Sequence, residues 1–197
     1  AAPIFSDRQF MLFIACTILF AACFFQGFTI QPVFFKEVWH FNEQFIGLLL
    51  ALNGVIIVFV EMILIYKLEQ FKRNAMFIRT GFILTGIGFV IVNFFSANPL
   101  VGILSVTLYT FGEIFSMPFM NAYWVARSNK NNRGQYAAWY AIAWSTAQII
   151  APLAGSRIAA AKGFNFLWWL NLSACTVAAI GLWFNQKKER QKTPVQA

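Results

Sequence analysis

The sequence is poor in charged residues. Only 11% of its 197 residues are Asp, Glu, Lys or Arg, whereas 59% are hydrophobic and 24 are Phe. Soluble domains usually contain roughly a quarter charged residues. A chain this apolar is typical of an integral membrane protein, so the lipid bilayer is the first partner that the composition indicates.

Residues that bind nucleic acids or metals are also scarce or badly placed. The net charge of +8 comes from cations in short clusters between apolar runs, which argues against nucleic-acid binding. The single histidine, His40, lies in a polar connector. Cys16, Cys23 and Cys175 lie inside apolar runs without CxxC spacing, so we expect free thiols. We therefore predict no metal or other cofactor.

Six apolar runs are long enough to cross a bilayer as helices, because a span needs about 20 mostly apolar residues. Short polar connectors separate them, and we predict an all-α membrane protein with one six-helix domain, residues 9–185. A short cytoplasmic segment, residues 1–8, precedes this domain, and a basic cytoplasmic tail, residues 186–197, follows it. The predicted spans are 9–35, 44–66, 75–95, 100–126, 135–161 and 165–184.

The distribution of Lys and Arg predicts the orientation of these spans. Six spans place 12 of the 15 basic residues on one side of the membrane, and only Lys36, Arg157 and Lys162 on the other. Cytoplasmic loops carry the excess of positive charge, so both termini are predicted to be cytoplasmic. This arrangement requires an even number of spans. We expect the bacterial cytoplasmic (inner) membrane as the location.

Acidic residues inside the spans are the first candidates for function. Glu113 lies at the middle of the fourth span, where a charged side chain costs roughly 2.5–3.5 kcal/mol or more. We interpret Glu113 as a proton or substrate site; the alternative is a neutral carboxyl group hydrogen-bonded between helices. Glu61 lies late in the second span, where an ion pair with Lys67 is the alternative to a role in transport. Arg157 is near a span end and can reach the interface by snorkelling.

Polar and aromatic residues accompany Glu113 at helical spacing. Tyr109, Ser116 and Trp124 share its stripe with two methionines, which suits an amphipathic ligand. Other spans contribute further candidates for the substrate or proton pathway, each with interhelical hydrogen bonding or packing as the alternative. These are Gln26, Gln31, Asn53, Tyr140, Trp144 and Gln148.

Prolines and small residues indicate hinges and close packing. Pro118 and Pro152 each remove a backbone hydrogen bond and are candidate kinks within the fourth and fifth spans. Gly155 ends a ridge of small residues at four-residue spacing on the fifth span. Such ridges let helices approach closely, so we interpret this one as a packing surface.

Several short motifs resemble those of a known family. "RGQY" (133–136) opens the fifth span, "APLAG" (151–155) lies within it, and "GE" precedes "MP" on the fourth span (112–118). This arrangement resembles the C-terminal six-helix half of a major facilitator superfamily (MFS) transporter. The connector "KLEQFKR" (67–73) occupies the place of the family's Gly-x-Leu-Ala-Asp-Arg-x-Gly-Arg-Arg loop, but lacks both glycines.

The resemblance implies a fold and a mode of action. It implies a 3+3 pseudo-repeat, residues 9–95 and 100–184, and a partner N-terminal six-helix half. The first, second, fourth and fifth spans are expected to line the cavity or the interface between halves, and the third and sixth to be peripheral. The chain begins Ala-Ala-Pro without Met, which fits a piece of a longer protein.

The leading hypothesis is a secondary active transporter, proton-coupled, that moves a small solute by alternating access. A homo-oligomeric six-helix channel or half-transporter is the alternative. A membrane-embedded enzyme is less favoured, because the sequence has neither a Gly-x-Ser-x-Gly nucleophile motif nor a histidine inside a span. The sequence specifies neither the substrate nor the direction of transport.

Overall fold

The structure, a computed structural model, describes residues 4–71 and 74–192. Within these ranges the chain is helical and contains no strand. Six long helical spans follow one another through short connectors, as the sequence predicts. Residues 1–3 of the predicted N-terminal segment, Lys72 and Arg73 of the "KLEQFKR" connector, and residues 193–197 of the predicted tail lie outside the described residues.

The first span is divided into two helical segments. Arg8–Thr29 begins at Asp7, whose Oδ1 accepts a hydrogen bond of 3.1 Å from the backbone N–H of Phe10. Gln31–Glu37 follows after Ile30, and Pro32 lies in its first turn, where a backbone N–H has no intrahelical acceptor. The span thus extends two residues beyond its predicted end at residue 35.

The second span contains a π-helical turn. Its segments are the α-helix Glu43–Ile56, the π-helical turn Ile57–Glu61 and the α-helix Met62–Glu69. The Oδ1 atom of Asn42 caps the first segment by accepting a hydrogen bond of 2.7 Å from Phe45 N. A π turn accommodates one extra residue, so it rotates everything after it relative to a regular α-helix.

Of the remaining spans, the third has its predicted length and the other three are longer than their predicted apolar runs. The third is Asn74–Val90, continued by the 3-10 segment Ile91–Phe94; the fourth is Pro99–Arg127; the fifth is Arg133–Lys162; and the sixth is Phe164–Lys192. The sixth therefore continues as helix into residues expected to form the tail. The backbone remains α-helical through Pro118 and Pro152.

Five of the six spans are long and apolar enough to cross a membrane by themselves, and the fifth is not. The fifth span is 30 residues long but carries Ser, Thr, Gln and Arg side chains along its length. A helix that faces other helices or a cavity need not be apolar all round. The lower apolarity of this span favours the expected position at the cavity or at the interface between halves, which stays a prediction.

The third span packs closely against the fourth and the sixth, and the first packs against the fifth and the sixth. Glycines make the third–fourth contact possible. A Cβ atom at Gly81 would lie 2.5 Å from Gly112 O, and one at Gly88 would lie 2.8 Å from Tyr109 N. The second span packs mainly on the fourth, and only 11% of its most apolar stretch is buried. It therefore presents an apolar face to its surroundings.

An ion pair and a hydrogen bond to Asp7 join the ends of three spans on the side with most of the basic residues. Arg127 donates from Nε to Asp7 Oδ2 at 2.6 Å and from Nη2 to Asp7 Oδ1 at 2.7 Å. The Tyr136 hydroxyl donates to Asp7 Oδ2 at 2.8 Å. Burial alone would raise the pKa of Asp7, but these hydrogen bonds, that from Phe10 N and the charge of Arg127 lower it below its ordinary value. The ion pair fastens the first span to the fourth, and the hydrogen bond from Tyr136 fastens it to the fifth.

Candidate functional site

Glu113 lies between the second and fourth spans, where its side chain meets an amide. Asn53 donates from Nδ2 to Glu113 Oε2 at 3.0 Å and to Thr110 Oγ1 at 3.0 Å. Asn53 is 5% exposed, so the contact is shielded from the surroundings. Both Nδ2 hydrogens of Asn53 are used in this way. The amide thus holds the carboxyl group against the hydroxyl of Thr110, one turn earlier on the same helix.

Glu61 is brought towards the same place by the π-helical turn. In an uninterrupted α-helix, the direction of residue 61 would differ from that of Asn53 by about 80°. The extra residue of the π turn reduces this difference to about 20°. Glu61 and Glu113 are then close enough to interact electrostatically, and the π turn contacts the fourth span. Two carboxyl groups from different helices therefore share one region.

The predicted stripe around Glu113 is divided between two neighbours of the fourth span. Tyr109 is fully buried, and its ring stacks on Phe89 of the third span with centroids 5.9 Å apart. Ser116 is also fully buried and donates to the carbonyl oxygen of Gly112 on its own helix at 2.7 Å. These two side chains pack towards the third span, whereas Glu113 turns towards the second.

An aromatic cluster connects the fourth and fifth spans. Trp124 and Tyr140 have ring centroids 6.0 Å apart, and Tyr140 and Trp144 are 6.2 Å apart. Trp144 also contacts Phe24 and Phe25 of the first span edge to face. All three predicted aromatic candidates are partly exposed. Trp124 lies on the same side of the fourth span as Glu113, 11 residues or about 16 Å further along its axis.

The two glutamines of the first span make hydrogen bonds between helices. Gln26 Oε1 accepts from Asn171 Nδ2 of the sixth span at 3.1 Å. Gln31 Nε2 donates to Ser105 Oγ of the fourth span at 2.8 Å, and Ser105 donates to Gly88 O of the third at 2.6 Å. Both glutamines are buried. Their geometry fits the role of interhelical hydrogen bonding that the sequence left open.

Gln148 and the hinge candidates occupy the fifth and fourth spans. Gln148 is exposed on the fifth span. Gly155 lies against the first span, where an added Cβ would be 2.9 Å from Ile30 Cγ1. Pro118 and Pro152 lie inside continuous helices, so in this state neither breaks its span.

Thr110, Asn171 and Asp7 take part in this architecture but were not singled out from the sequence. Thr110 is one turn from Glu113, which is a signal that helical spacing offers. Asn171 and Asp7 have partners more than 100 residues away, and no local pattern pairs them. Among the residues that the structure describes, no three His, Cys, Asp or Glu side chains come together as metal ligands.

Comparison with known proteins identifies the family. The family model of the Major Facilitator Superfamily matches residues 3–197. The chain belongs to this superfamily. It is 25% identical over 199 residues to the Na(+), Li(+), K(+)/H(+) antiporter of Planococcus maritimus, and the match covers 86% of this chain and 46% of that antiporter. The chain thus spans about half the length of the curated relative it matches.

Membership of this superfamily confirms the expected fold and the expected location in a membrane. The chain is an integral membrane protein of the MFS, and its six helical spans fit one half of an MFS transporter. The family is one of transporters, which favours transport over an enzymatic activity. Among the candidate residues, Asn53, Glu61 and Glu113 form an acidic region on the second and fourth spans, and Trp124, Tyr140 and Trp144 form an aromatic cluster on the fourth and fifth.

Proposed function

We propose that this chain is half of a proton-coupled secondary transporter, in which Glu113 exchanges a proton for a solute by alternating access. The observation that supports this is the hydrogen bond of 3.0 Å from Asn53 to Glu113 inside the helix bundle, with a second carboxyl group on Glu61 nearby. Acidic residues within spans mark proton or ion pathways by default. The matched relative is named a Na(+), Li(+), K(+)/H(+) antiporter, which agrees with proton exchange.

Competition for one carboxylate provides the coupling. When Glu113 is ionised, Asn53 donates to it, and a cation near Glu61 and Glu113 neutralises the charge. When a proton binds Glu113, the negative charge that attracts the cation is lost. Proton and cation are then alternative occupants, which is what an antiporter needs. We propose a monovalent cation as the solute.

An amphipathic organic cation is a second candidate solute. The partly exposed aromatic cluster of Trp124, Tyr140 and Trp144 supports it, because the faces of aromatic rings attract cations. The cluster lies about three helical turns from Glu113 on the fourth span. A bulky cation spanning this distance would contact both regions.

The transporter is proposed to be completed by a second six-helix half. The second span exposes Val58, Phe59 and Met62 by 70% or more, as expected for a face that another half covers. The 46% coverage of the antiporter is consistent with this. Both termini are proposed to be cytoplasmic, in the bacterial inner membrane, because 12 of 15 basic residues lie on one side.

The decisive experiment is Glu113→Gln in the full-length protein, with exchange followed by a pH-sensitive dye in proteoliposomes. Addition of Na⁺, K⁺ or an organic cation should release protons in the wild type. We expect at least a tenfold slower signal in the variant, with Glu113→Asp partly active. The matched control is Glu37→Gln, since Glu37 is exposed at the end of the first span. Wild-type exchange by Glu113→Gln would exclude the proposed role.

A further inference from the structure

A cavity of about 400 Å³ lies between the third and sixth spans, away from the acidic and aromatic regions. Its walls include Arg79, Thr80, Ile83 and Leu84 from the third span and Trp183 from the sixth. Thr80 and Trp183 are exposed, so the cavity opens to the outside of the bundle. This volume is within the range of small-molecule sites, roughly 300–1,000 Å³.

The polarity of the cavity changes with depth. Arg79 is five residues into its span, and Trp183 is near the end of the apolar part of the sixth, so both lie near the same membrane surface. Leu84 lies five residues beyond Arg79, which is about 7.5 Å deeper along the helix. The end near the surface therefore offers a guanidinium group and a hydroxyl beside the apolar side chain of Met76, and the deeper end is lined by Ile83 and Leu84.

Arg79 is held at its own helix, and the sequence that flanks these two span ends is basic. The Nε atom of Arg79 donates to Ala75 O at 3.2 Å, which holds the side chain at its own helix. The sequence carries Lys72 and Arg73 just before the third span and Lys187 and Lys188 just after the apolar part of the sixth. A basic recess between transmembrane helices at a positively charged membrane surface is suited to an anionic lipid headgroup.

We propose that this cavity binds an anionic phospholipid, with the phosphate at Arg79 and Thr80 and an acyl chain along Ile83 and Leu84. The cavity and a phospholipid are both amphipathic. The guanidinium group would contact the phosphate near the membrane surface, and the aliphatic side chains would contact the acyl chain below it. A zwitterionic lipid offers the same chains but no net negative charge. A free phosphate ion offers the charge but leaves the aliphatic end uncovered.

Lipid titration of the full-length protein in detergent, read by native mass spectrometry, tests the proposal. Dioleoyl-phosphatidylglycerol should bind about fivefold more tightly than dioleoyl-phosphatidylcholine, the factor that corresponds to about 1 kcal/mol for one basic residue near an anionic surface. Arg79→Gln should remove this preference, and Arg79→Lys should retain most of it. Glycerol 3-phosphate should not compete. The matched control is Arg133→Gln, an exposed arginine near the same surface on the fifth span.

A second variant keeps the test valid if Arg79→Gln fails to fold. Leu84→Trp narrows the aliphatic end without touching the charge, and it should weaken binding of both lipids. Equal binding of the two lipids by the wild type would overturn the proposal. So would an unchanged preference in Arg79→Gln, or an unchanged phosphatidylglycerol affinity in Leu84→Trp. Competition by glycerol 3-phosphate would show that the site takes a free phosphate compound instead of a lipid.

Discussion

The contact between the third and fourth spans should not tolerate one additional methyl group at Gly112. A Cβ atom there would lie 2.7 Å from Gly81 O and 2.7 Å from Thr85 N, and it would overlap Thr85 Oγ1. Ordinary contacts of a Cβ atom begin at 3.4 Å, so the helices would have to separate by roughly 0.7 Å. Backbone atoms form most of this obstacle, and a rotamer change cannot remove them.

The loss of stability can be worked out from this increase in the distance between the third and fourth spans. A gap of 0.5–1 Å forfeits roughly a quarter to a half of the dispersion energy of each contact. Overpacking a well-packed core usually costs about 1–3 kcal/mol. Because this interface is among the most extensive in the bundle, we place Gly112→Ala at about 3 kcal/mol. For a chain of this size, that corresponds to a fall in Tm of about 6–12 °C.

Thermal unfolding in detergent, followed by fluorescence-detected size-exclusion chromatography, measures this effect. The matched control is Gly47→Ala, because, apart from its chain neighbours and its own helix backbone, no heavy atom lies within 4 Å of the Cβ atom added at Gly47. Alanine is the better helix former by about 1 kcal/mol, so the control should have an equal or higher Tm. If both variants unfold at the same temperature, the close approach of the two spans is wrong.

Three further predictions concern side-chain partners. Folding lowers the pKa of Asp7, so the ionised carboxylate stabilises the folded protein. This stabilisation is present above the unfolded pKa of about 3.9 and is lost as pH falls through the lower folded pKa. Asp7→Asn should therefore cost about 2 kcal/mol at neutral pH and flatten the acid limb of a Tm–pH curve; an unchanged curve would contradict the role of the ion pair with Arg127. Ser105→Ala leaves the buried amide of Gln31 without its acceptor and should lower the free energy of unfolding by about 1–3 kcal/mol. Chemical unfolding measures this change, and equal stability would show that the hydrogen bond is replaceable. Glu61→Gln removes one of two negative charges, so the KM for the transported cation should rise several-fold; an unaltered KM would place Glu61 outside the cation path.

The six helices were predictable because the bilayer imposes a length on every span. The apolar runs predict the number of spans, and the polar connectors predict where one span ends and the next begins. The boundaries were less predictable, since capping and local hydrogen bonding decide them. Residues Gln31–Glu37, for example, continue the first span beyond its predicted end, and the sixth continues to Lys192.

The relation of Glu61 to the acidic region shows what a helical pattern cannot give. Counting residues at 3.6 per turn places Glu61 on a different face from Asn53. The π-helical turn Ile57–Glu61 changes that register, and no residue type in this stretch identifies such a turn. The sequence identified both acids as candidates, but only the backbone geometry brings them together.

The sequence treats the polar residues of the spans as equal candidates, and their hydrogen-bond partners in the structure distinguish them. Gln26 and Gln31 have partners on neighbouring spans that account for their burial, so their polarity needs no solute to explain it. Glu113 differs because its partner Asn53 supplies a donor but no countercharge. If Glu113 is ionised there, a bound cation or a proton would be needed to balance its charge, which is what the proposed exchange supplies. The same hydrogen bond also joins two helices, so a neutral carboxyl group held between the second and fourth spans is the alternative to our proposal, and proton exchange by Glu113→Gln distinguishes the two.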